Sequence, residues 1–300
     1  MKENDFEELL PNLSKVLFAP TFMTRAKKLK FVTSTGKIIP KEGSLRLYRY
    51  MRISNVREVL QGQLRCEVPV RWQDPFEKLF YKDPVVIGDK SYYVLCLCFV
   101  YDVNQGEESM WNTHGRVQSQ QKEPKPLANT IIRSTFDAQS LYKGLASANP
   151  NLKFYFAPVD YSLSRREILQ HWKARKDKPY TSIEEFIGDM LLKRNAFSYE
   201  NEMRLFIVNE QPFNDVCEDF CLLGLKGSKS VITSVTLPPL PILNPRKYDQ
   251  KSYRKELEDR GQKLKEELQA SGYNGKIYQS RLYDVECKME NPRMEPIVNS

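Results

Sequence analysis

Short runs of β-branched, aromatic and aliphatic residues, separated by polar turns, recur along most of this chain. Residues of these types favour extended backbone, so each run predicts a strand. The predicted strands cover residues 45–50, 64–68, 92–101, 130–136, 152–159, 197–205, 231–237 and 276–285. Two further runs, 29–33 and 37–39, flank Ser34-Thr35-Gly36 and predict a hairpin.

Other segments carry apolar residues at helical spacing, and several begin with a residue that can cap a helix. The first predicted helix is a short arm over residues 6–17, interrupted by Pro11. The others are a helix from Ser54 or Asn55 to Gly62, one from Asp137 to Ala148, one with Ile168, Leu169 and Trp172, one from the capping box Thr181-x-x-Glu184 to Lys193, and a charged one from Asn244-Pro245 to Ala270. Helices and strands mix without strict alternation, which favours an α+β fold with a mixed, largely antiparallel sheet and helices packed around it.

The order of these elements predicts three parts within the 300 residues. Residues 1–44 form an N-terminal helical arm and hairpin, residues 45–240 form the main α+β domain, and residues 241–300 add a long helix and a closing strand packed on that domain. We expect the tail after Asn291 to be frayed. The polar segment 102–125 predicts a long loop, and such loops are usually functional or disordered.

The charge balance favours an anionic partner. Basic residues number 46 against 38 acidic ones, a formal net charge of +8, which suits nucleic acid or a nucleotide, although many enzymes with neutral substrates are as basic. The charged N-terminus and the lack of a long apolar run predict no signal peptide and no membrane span. Six cysteines without a C-x-x-C pair favour reduced thiols and a cytoplasmic location, and argue against structural zinc.

Two carboxylates stand close together in the motif Phe197-Ser198-Tyr199-Glu200-Asn201-Glu202-Met203-Arg204-Leu205. On a strand, residues two apart point to the same face, so Glu200 and Glu202 would lie about 7 Å apart. Like charges on one face contribute nothing to a structural strand, whereas a site that handles positive charge, sugar hydroxyls or protons can use both. The alternative is a structural ion-pair ladder formed by Glu202 and Arg204.

Tyr48-Arg49-Tyr50 places a cation between two aromatic residues on the first strand of the main domain. Alternation puts both tyrosines on one face and Arg49 on the other. An arginine that points into a cleft can hold a phosphate or a carboxylate in bidentate fashion. The alternative is a surface arginine stacked on its neighbours.

Acidic residues also frame the turn Trp72-Gln73-Asp74-Pro75-Phe76-Glu77, where burial of the two aromatic residues can anchor the chain. Asp74 and Glu77 belong either to an acidic site or to an ordinary Asx turn or helix start.

Four further candidates lie in the polar loop and on the strand that follows it. Trp111 and His114 belong to the loop motif Met110-Trp111-Asn112-Thr113-His114-Gly115, and the histidine could carry a proton or bind a ligand. Ser134 and Thr135 could hydrogen-bond a ligand, although strand pairs of this type are common for ordinary reasons. The chain has only two histidines, so a histidine-rich metal site is excluded and we expect no metal.

Taken in order, these motifs resemble the bacterial family known as domain of unknown function 2971. The resemblance covers about residues 45–240 and rests on Tyr48-Arg49-Tyr50, Asp74-Pro75-Phe76-Glu77, Cys98-Phe99, Met110-Trp111, Val159-Asp160-Tyr161, Lys193 and Tyr199-Glu200-Asn201-Glu202-Met203-Arg204-Leu205. The chain departs from that family at His114, where Tyr is usual, and at residues 131–136, which replace a glycine-led strand. The layout is also similar to ADP-ribosyltransferases of the DNA- or RNA-modifying type found in toxin–antitoxin and anti-phage systems.

This second resemblance implies an ADP-ribosyltransferase-like sheet, NAD as the substrate, and an acceptor on nucleic acid or protein. It implies that Glu202 is catalytic and binds the ribose hydroxyls, and that Glu200 assists the acceptor. The residues that would hold NAD are Arg49, Tyr48, Tyr50, Ser134, Thr135, Trp111 and His114. An antitoxin or another defence-system protein is the implied partner.

Two other functional classes stay open on the sequence. A nuclease would use Asp74, Glu77, Glu200 and Glu202 as an acidic cluster, although no nuclease lysine motif is present. A non-catalytic binding or regulatory module of a defence system would keep the Glu202–Arg204 ladder as a structural feature.

Overall fold

The computed structural model describes residues 13–16, 46–72, 74–101, 103, 108–111, 130–214, 216, 220–239, 250–280 and 294–296. The predicted hairpin at 29–39, the candidate His114 and the predicted boundaries near residues 44 and 240 lie outside these ranges. Most of the predicted loop at 102–125 also lies outside them, but residues 108–111 form a helical turn.

The described residues contain a sheet of twelve strands. The strands are β1 (Leu13–Val16), β2 (Arg46–Arg52), β3 (Gln63–Glu67), β4 (Val85–Ile87), β5 (Lys90–Val100), β6 (Ile131–Asp137), β7 (Lys153–Pro158), β8 (Glu202–Asn209), β9 (Phe220–Gly224), β10 (Ile232–Leu237), β11 (Lys276–Ser280) and β12 (Met294–Pro296). The main path runs β1-β7-β8-β5-β2-β6-β10-β11-β12, while β3 pairs with β5 and β9, and β4 with β5. Within this part of the chain β1–β7 and β10–β11 are parallel and the other pairs antiparallel, so the predicted mixed, largely antiparallel sheet is confirmed.

Helices pack on both sides of this sheet, which confirms the α+β class. They are α1 (Ile53–Leu60), α2 (Ala138–Ala148), α3 (Arg165–Arg175), α4 (Ile183–Met190) and α5 (Gln250–Ala270). Each coincides with a predicted helix, although α4 ends before Lys193 and the predicted start of α5 at Asn244-Pro245 lies outside the described ranges.

Local capping explains some of these helix boundaries. The predicted cap of α2 is confirmed, because the Asp137 carboxylate accepts a hydrogen bond from the Ser140 backbone N–H at 2.7 Å. The predicted cap of α1 by Ser54 or Asn55 is wrong, because the helix begins at Ile53, whose backbone N–H donates to the Thr130 carbonyl of a neighbouring segment at 3.1 Å.

The cap of α4 lies one residue beyond the predicted capping box. The Ser182 hydroxyl accepts a hydrogen bond from the Glu185 N–H at 3.2 Å, and Glu185 in turn accepts one from the Thr181 N–H at 2.8 Å. Thr181 therefore helps to fix the turn, but its predicted pairing with Glu184 is wrong.

Strand register decides which side chains share a face of the sheet. Tyr48 on β2 pairs with Val100 on β5, and Val100 pairs with Glu202 on β8. These three residues define what we call the Glu202 face, on which α3 and α4 pack around a core that includes Ile168, Phe186 and Phe206. The opposite face, which we call the core face, carries the larger apolar core under α1, α2 and α5 and includes Leu47, Val56, Leu97, Leu141, Leu205 and Leu264.

Two terminal segments differ from prediction. Residues Leu13–Val16, predicted as part of a helical arm, form a strand parallel to β7. Residues Met294–Pro296, expected to be frayed, pair antiparallel with β11. In both cases an available sheet edge supplies backbone hydrogen bonds, which outweigh a weak local preference.

α2 approaches the turn after β9 so closely that residue 144 requires glycine. A Cβ at Gly144 would lie 2.4 Å from the Lys226 carbonyl oxygen and 2.8 Å from a Leu225 methyl carbon. The Lys226 N–H also donates to the Gly144 carbonyl at 3.1 Å, which fixes the approach. We expect Gly144→Ala to lower the free energy of unfolding by about 2 kcal/mol, because overpacking a fixed contact costs that much, and urea denaturation measures it.

The matched control is Gly188→Ala on α4, where a Cβ would meet no atom within 4 Å. This change is expected to raise the free energy of unfolding by about 0.5–1 kcal/mol, because alanine favours helix over glycine. Equal effects of the two substitutions would contradict the close packing at Gly144.

Among the helices in the described ranges, none combines the length and the apolar character that crossing a lipid bilayer requires.

Candidate active site

The segment that carries the two carboxylates was predicted to be one continuous strand, and this prediction is wrong. Residues Asn195–Glu200 form a 3₁₀ helix, Asn201 takes the left-handed conformation with φ 45°, and β8 begins at Glu202. Asn201 is fully buried, and its carbonyl accepts a hydrogen bond from the Tyr101 N–H at 3.0 Å. This left-handed residue turns Glu200 out of the strand, and asparagine is one of the few residue types that adopt that conformation readily.

A single ammonium group nevertheless brings both carboxylates together. Lys193 Nζ lies 2.6 Å from Glu200 Oε2, 2.9 Å from Glu202 Oε2 and 3.1 Å from Glu77 Oε1. Lys193 follows α4, where its backbone N–H donates to the Asp160 carbonyl at 3.0 Å. Carboxylates from two separate segments of the chain therefore converge on a cation that a third segment supplies.

Arg204 forms the second cationic centre and is almost fully buried, with 1% of its surface exposed. Its Nε donates to Glu202 at 2.8 Å, and its terminal nitrogens donate to Glu77 at 2.5 Å and to the Met190 carbonyl at 2.6 Å. The guanidinium also lies 3.9 Å from the centre of the Trp72 ring. Glu202 and Glu77 thus each bridge Lys193 and Arg204, and we call Glu77, Lys193, Glu200, Glu202 and Arg204 the charged cluster.

The cluster holds its two neighbouring glutamates in different protonation states. Burial alone would raise the pKa of Glu202, but Arg204 and Lys193 outweigh it and hold that pKa well below its ordinary value. Burial raises the pKa of Glu200 to about 7, with Lys193 opposing the shift and Glu202 adding to it. Burial would lower the pKa of Lys193, but the surrounding carboxylates raise it, so the ammonium stays charged. Glu202 is therefore a fixed anion, while Glu200 can exchange a proton near neutral pH.

The raised pKa of Glu200 makes stability depend on pH. The folded protein binds this proton more tightly than the unfolded chain, whose value is near 4.5, so the contribution to stability is full below pH 4.5 and is lost as the pH rises through about 7. Glu200→Gln cannot ionise and is expected to raise the free energy of unfolding at pH 8.5 by roughly 1–3 kcal/mol relative to the parent protein, with little change at pH 4. Urea denaturation at the two pH values measures this difference.

Glu210→Gln serves as the control, because Lys153 and Lys90 lower the pKa of that exposed carboxylate. Its stabilising contribution is present above its ordinary pKa and is lost at lower pH, so any change at pH 8.5 is expected in the opposite direction. A Glu200→Gln protein that gains no stability at pH 8.5 would contradict the burial of Glu200 beside Glu202.

Asp74 lies next to the cluster without joining it. Its carboxylate accepts a hydrogen bond from the Phe76 N–H at 3.0 Å, which is the Asx turn considered above, and the Arg194 Nε lies 3.1 Å from its other oxygen. Of the two predicted acidic candidates in this turn, the structure brings only Glu77 to Glu202.

An aromatic patch adjoins the Glu202 end of the sheet and consists of Tyr48, Tyr50, Trp111 and Tyr199. The rings of Tyr50 and Trp111 meet edge to face, with centroids 4.8 Å apart and an interplanar angle of 87°. Tyr48 aligns with Glu202 through Val100, and Tyr199 directly precedes Glu200. The structure therefore places three predicted binding residues, Tyr48, Tyr50 and Trp111, on the side of the sheet that carries Glu202.

Arg49 and Ser134 do not join that arrangement. They pair with each other across β2 and β6, one position out of phase with Tyr48, so they lie on the core face. Arg49 donates to Glu67 at 3.1 Å and to the Arg65 carbonyl at 3.2 Å. Thr135 pairs with Tyr48 and therefore lies on the Glu202 face. The resemblance grouped all these residues around one ligand, but the strand register divides them between two faces.

Two residues of this site were given no role by sequence reasoning. Lys193 was named only as a motif position, although a lysine directly after the apolar Leu191-Leu192 was a signal of a buried cation. Tyr161 was also named only as a motif position, yet its hydroxyl accepts a hydrogen bond from the Glu202 N–H at 3.2 Å. Burial raises the pKa of Tyr161, so its hydroxyl stays protonated beside the cluster.

The described residues contain no group of three His, Cys, Asp or Glu side chains arranged to hold a metal ion. In the charged cluster the ammonium and the guanidinium occupy the space between the carboxylates, where a metal would otherwise be held.

Neither a family model nor a curated protein sequence matches this chain. Solved structures of DarT from Thermus sp. 2.9 are similar to it at 12% identity. The alignment with the NAD+ complex covers 81% of this chain and 97% of the DarT chain, with a TM-score of 0.34. The alignment with the carba-NAD+ complex covers 79% of this chain and 95% of the DarT chain, with a TM-score of 0.31. The alignment with the complex that contains ADP-ribosylated ssDNA covers 79% of this chain and 96% of the DarT chain, with a TM-score of 0.33. Similarity this low carries no argument about function, and the resemblance to domain of unknown function 2971 stays an expectation.

Proposed function

We propose that this protein is an ADP-ribosyltransferase-type enzyme that uses NAD as its substrate and modifies nucleic acid. The observation that carries the proposal is the charged cluster, in which one buried cation joins a permanently ionised carboxylate, Glu202, to a carboxyl that titrates near pH 7, Glu200. Neighbouring carboxylates whose pKa values are driven apart are typical of acid–base sites.

The two carboxylates suit the two halves of ADP-ribose transfer. Breaking the bond between the ribose C1′ and nicotinamide leaves positive charge on the ribose, as in glycoside hydrolysis, and the fixed negative charge of Glu202 stabilises it where water is excluded. An acceptor oxygen or nitrogen then bonds to C1′, and ionised Glu200 takes the proton that this atom loses. Nicotinamide leaves with the electron pair of the broken bond, so no further reactant is needed.

Three features of the surroundings support this assignment. In the aromatic patch Tyr48 and Tyr199 keep part of their surface exposed and would contact the nicotinamide or adenine base, while Tyr50 and Trp111 are buried against each other. Thr135 lies on the same side of the sheet. Asn201 holds the left-handed conformation between the two glutamates, and such backbone outliers cluster at functional sites. The net charge of +8 suits a polyanionic acceptor. Arg49 and Ser134 are left out of the proposed pocket because they lie on the core face.

The biological setting follows from the resemblance alone. We propose a toxin or anti-phage effector of the bacterial cytoplasm that is restrained by an antitoxin or another defence-system protein.

A non-catalytic binding or regulatory module is the second candidate, and one observation favours it. Arg204 and Lys193 occupy both oxygens of Glu202, whose exposed fraction is 6%, as expected for a structural ion-pair ladder. A nuclease has no such support, because Asp74 is held in its turn and cations separate the other carboxylates.

Labelled NAD tests the proposal. The protein is incubated with NAD that carries a label in its adenylate half, in the presence of single-stranded DNA, RNA or a protein mixture, and each pool is recovered separately. The expected result is covalent label on one nucleic-acid pool together with stoichiometric nicotinamide release. Label on protein alone would overturn the acceptor class, and the absence of both label and nicotinamide would favour the binding module.

A further inference from the structure

A row of cations lies on one side of α3. Arg165, Arg166 and Lys173 are exposed and, with Leu169 and Gln170, line a groove of about 510 Å³. Arg166 and Lys173 are seven residues apart and lie on the same side of the helix, about two turns from each other, and Arg165 flanks Arg166. The nearby Glu167 carboxylate is engaged by the helix N-terminus, where it accepts a hydrogen bond from the Ser164 N–H at 2.7 Å. We call Arg165, Arg166 and Lys173 the basic row.

Alternating cations and aromatic rings connect this row to the charged cluster. The Arg165 guanidinium lies 5.2 Å from the centre of the Phe76 ring, and the Arg194 guanidinium lies 4.8 Å from the same ring. Arg194 also lies 5.0 Å from the centre of the Phe197 ring, and Lys193 Nζ lies 5.2 Å from it. Lys193 in turn contacts Glu200, so the stack leads from α3 to the carboxylate that titrates near pH 7.

The two phenylalanines of this stack keep part of their surface exposed, although apolar side chains of their size are commonly buried. Cations interleaved with partly exposed rings are a pattern by which proteins hold single strands, because phosphates contact the cations while unstacked bases pack against the rings. An acidic peptide would use the charges but gain little from the rings. A duplex keeps its bases stacked and could use only the basic row.

We propose that the basic row and the rings of Phe76 and Phe197 form the binding path of a single-stranded polynucleotide and direct one of its nucleotides to Glu200. This proposal rests on the proposed function only in one respect, the modification of the bound strand at Glu200. Binding along the path requires neither NAD nor catalysis.

Fluorescence anisotropy with a labelled single strand tests this path. The strand is about 12 nucleotides long, which is within the site sizes of single-strand-binding folds, and it is used both as DNA and as RNA of the same sequence. The double variant Arg166→Gln/Lys173→Gln is expected to bind about ten- to a hundredfold more weakly at low salt, and the slope of log K against log salt is expected to fall by roughly 1.4, because two phosphate contacts are lost. Comparison of the two strands identifies the preferred sugar.

The matched control is Lys255→Gln/Lys263→Gln, which removes the same charge from exposed positions on α5. This control is expected to keep its affinity within about twofold. Phe197→Leu is expected to weaken the single strand about tenfold while leaving a duplex of the same length unaffected. Equal losses in both double variants, competition by polyglutamate as strong as by the oligonucleotide, or no binding by the parent protein would overturn the path.

Hydrolysis of NAD in the absence of a strand separates this inference from the proposed function, because water then bonds to C1′ and nicotinamide is still released. Arg166→Gln/Lys173→Gln is expected to release nicotinamide at the parent rate, because neither residue contacts the charged cluster. Strand binding that depends on the basic row, without any NAD cleavage, would leave the path standing and reject the enzyme. NAD cleavage by a protein whose strand binding does not depend on the basic row would reject the path and leave the proposed enzyme standing.

Discussion

Glu202→Gln is expected to lower the rate of ADP-ribose transfer about a thousandfold, which is the scale of losing one preorganised electrostatic group from an active site. The amide cannot supply the negative charge that Lys193 and Arg204 hold in place at 2.9 Å and 2.8 Å. The rate is measured as the release of nicotinamide from NAD, which is quantified by chromatography.

Folding must be measured alongside, because the neutral amide introduced by this substitution would face two buried cations. The circular dichroism spectrum and the unfolding midpoint show whether the variant is folded at the assay temperature. Glu210→Gln, an exposed substitution of the same kind, is expected to retain the parent rate. If the Glu202→Gln protein is folded and its transfer rate is within about tenfold of the parent rate, Glu202 is not the catalytic residue.

Arg204→Met is expected to produce the largest loss of stability, about 3–5 kcal/mol in the free energy of unfolding. Methionine approximates the length of the side chain but leaves Glu77 and Glu202 with one buried cation between them and deprives the Met190 carbonyl of its donor. A buried carboxylate without its partner costs far more than the pair gains. Urea denaturation at pH 7 measures the loss.

A second substitution tests this reason. Arg204→Met/Glu77→Gln is expected to recover part of the loss, because it removes one of the uncompensated charges. Lys90→Met breaks an exposed ion pair with Glu210 and is expected to leave the unfolding midpoint unchanged. An Arg204→Met protein as stable as Lys90→Met would show that the cluster is solvated and that the pKa difference between its glutamates has no basis.

Much of the fold was predictable because strand formation here follows local composition. The runs that became β2, β3, β5, β6 and β7 are rich in residues that favour extended backbone, and Asp137 is an ordinary helix cap. The short strand β4 and the strand β9 were missed, since three to five residues carry little periodic signal. β1 was misassigned because its conformation depends on the edge of β7, far away in the chain.

The candidate site was predictable in its residue types and not in its geometry. Alternation correctly separated Tyr48 and Tyr50 from Arg49. Only the pairing of β2 with β5, and of β5 with β8, shows which of these residues share a face with Glu202. The break at Asn201 depends on a hydrogen bond from Tyr101, far earlier in the chain, so periodicity over 197–205 favoured the wrong conformation for Glu200. Lys193 gathers carboxylates from two segments that are far apart in the chain, and no local pattern encodes such a convergence.

The pH dependence of ADP-ribose transfer tests most directly whether the charged cluster is an active site. For the parent protein the transfer rate to a single-stranded oligonucleotide is expected to rise with pH through an inflection near 7, where Glu200 ionises, and Glu200→Gln is expected to be slower and to lack that inflection. A parent profile without the inflection, or one that Glu200→Gln reproduces, would contradict the account and leave the cluster a structural ion-pair network.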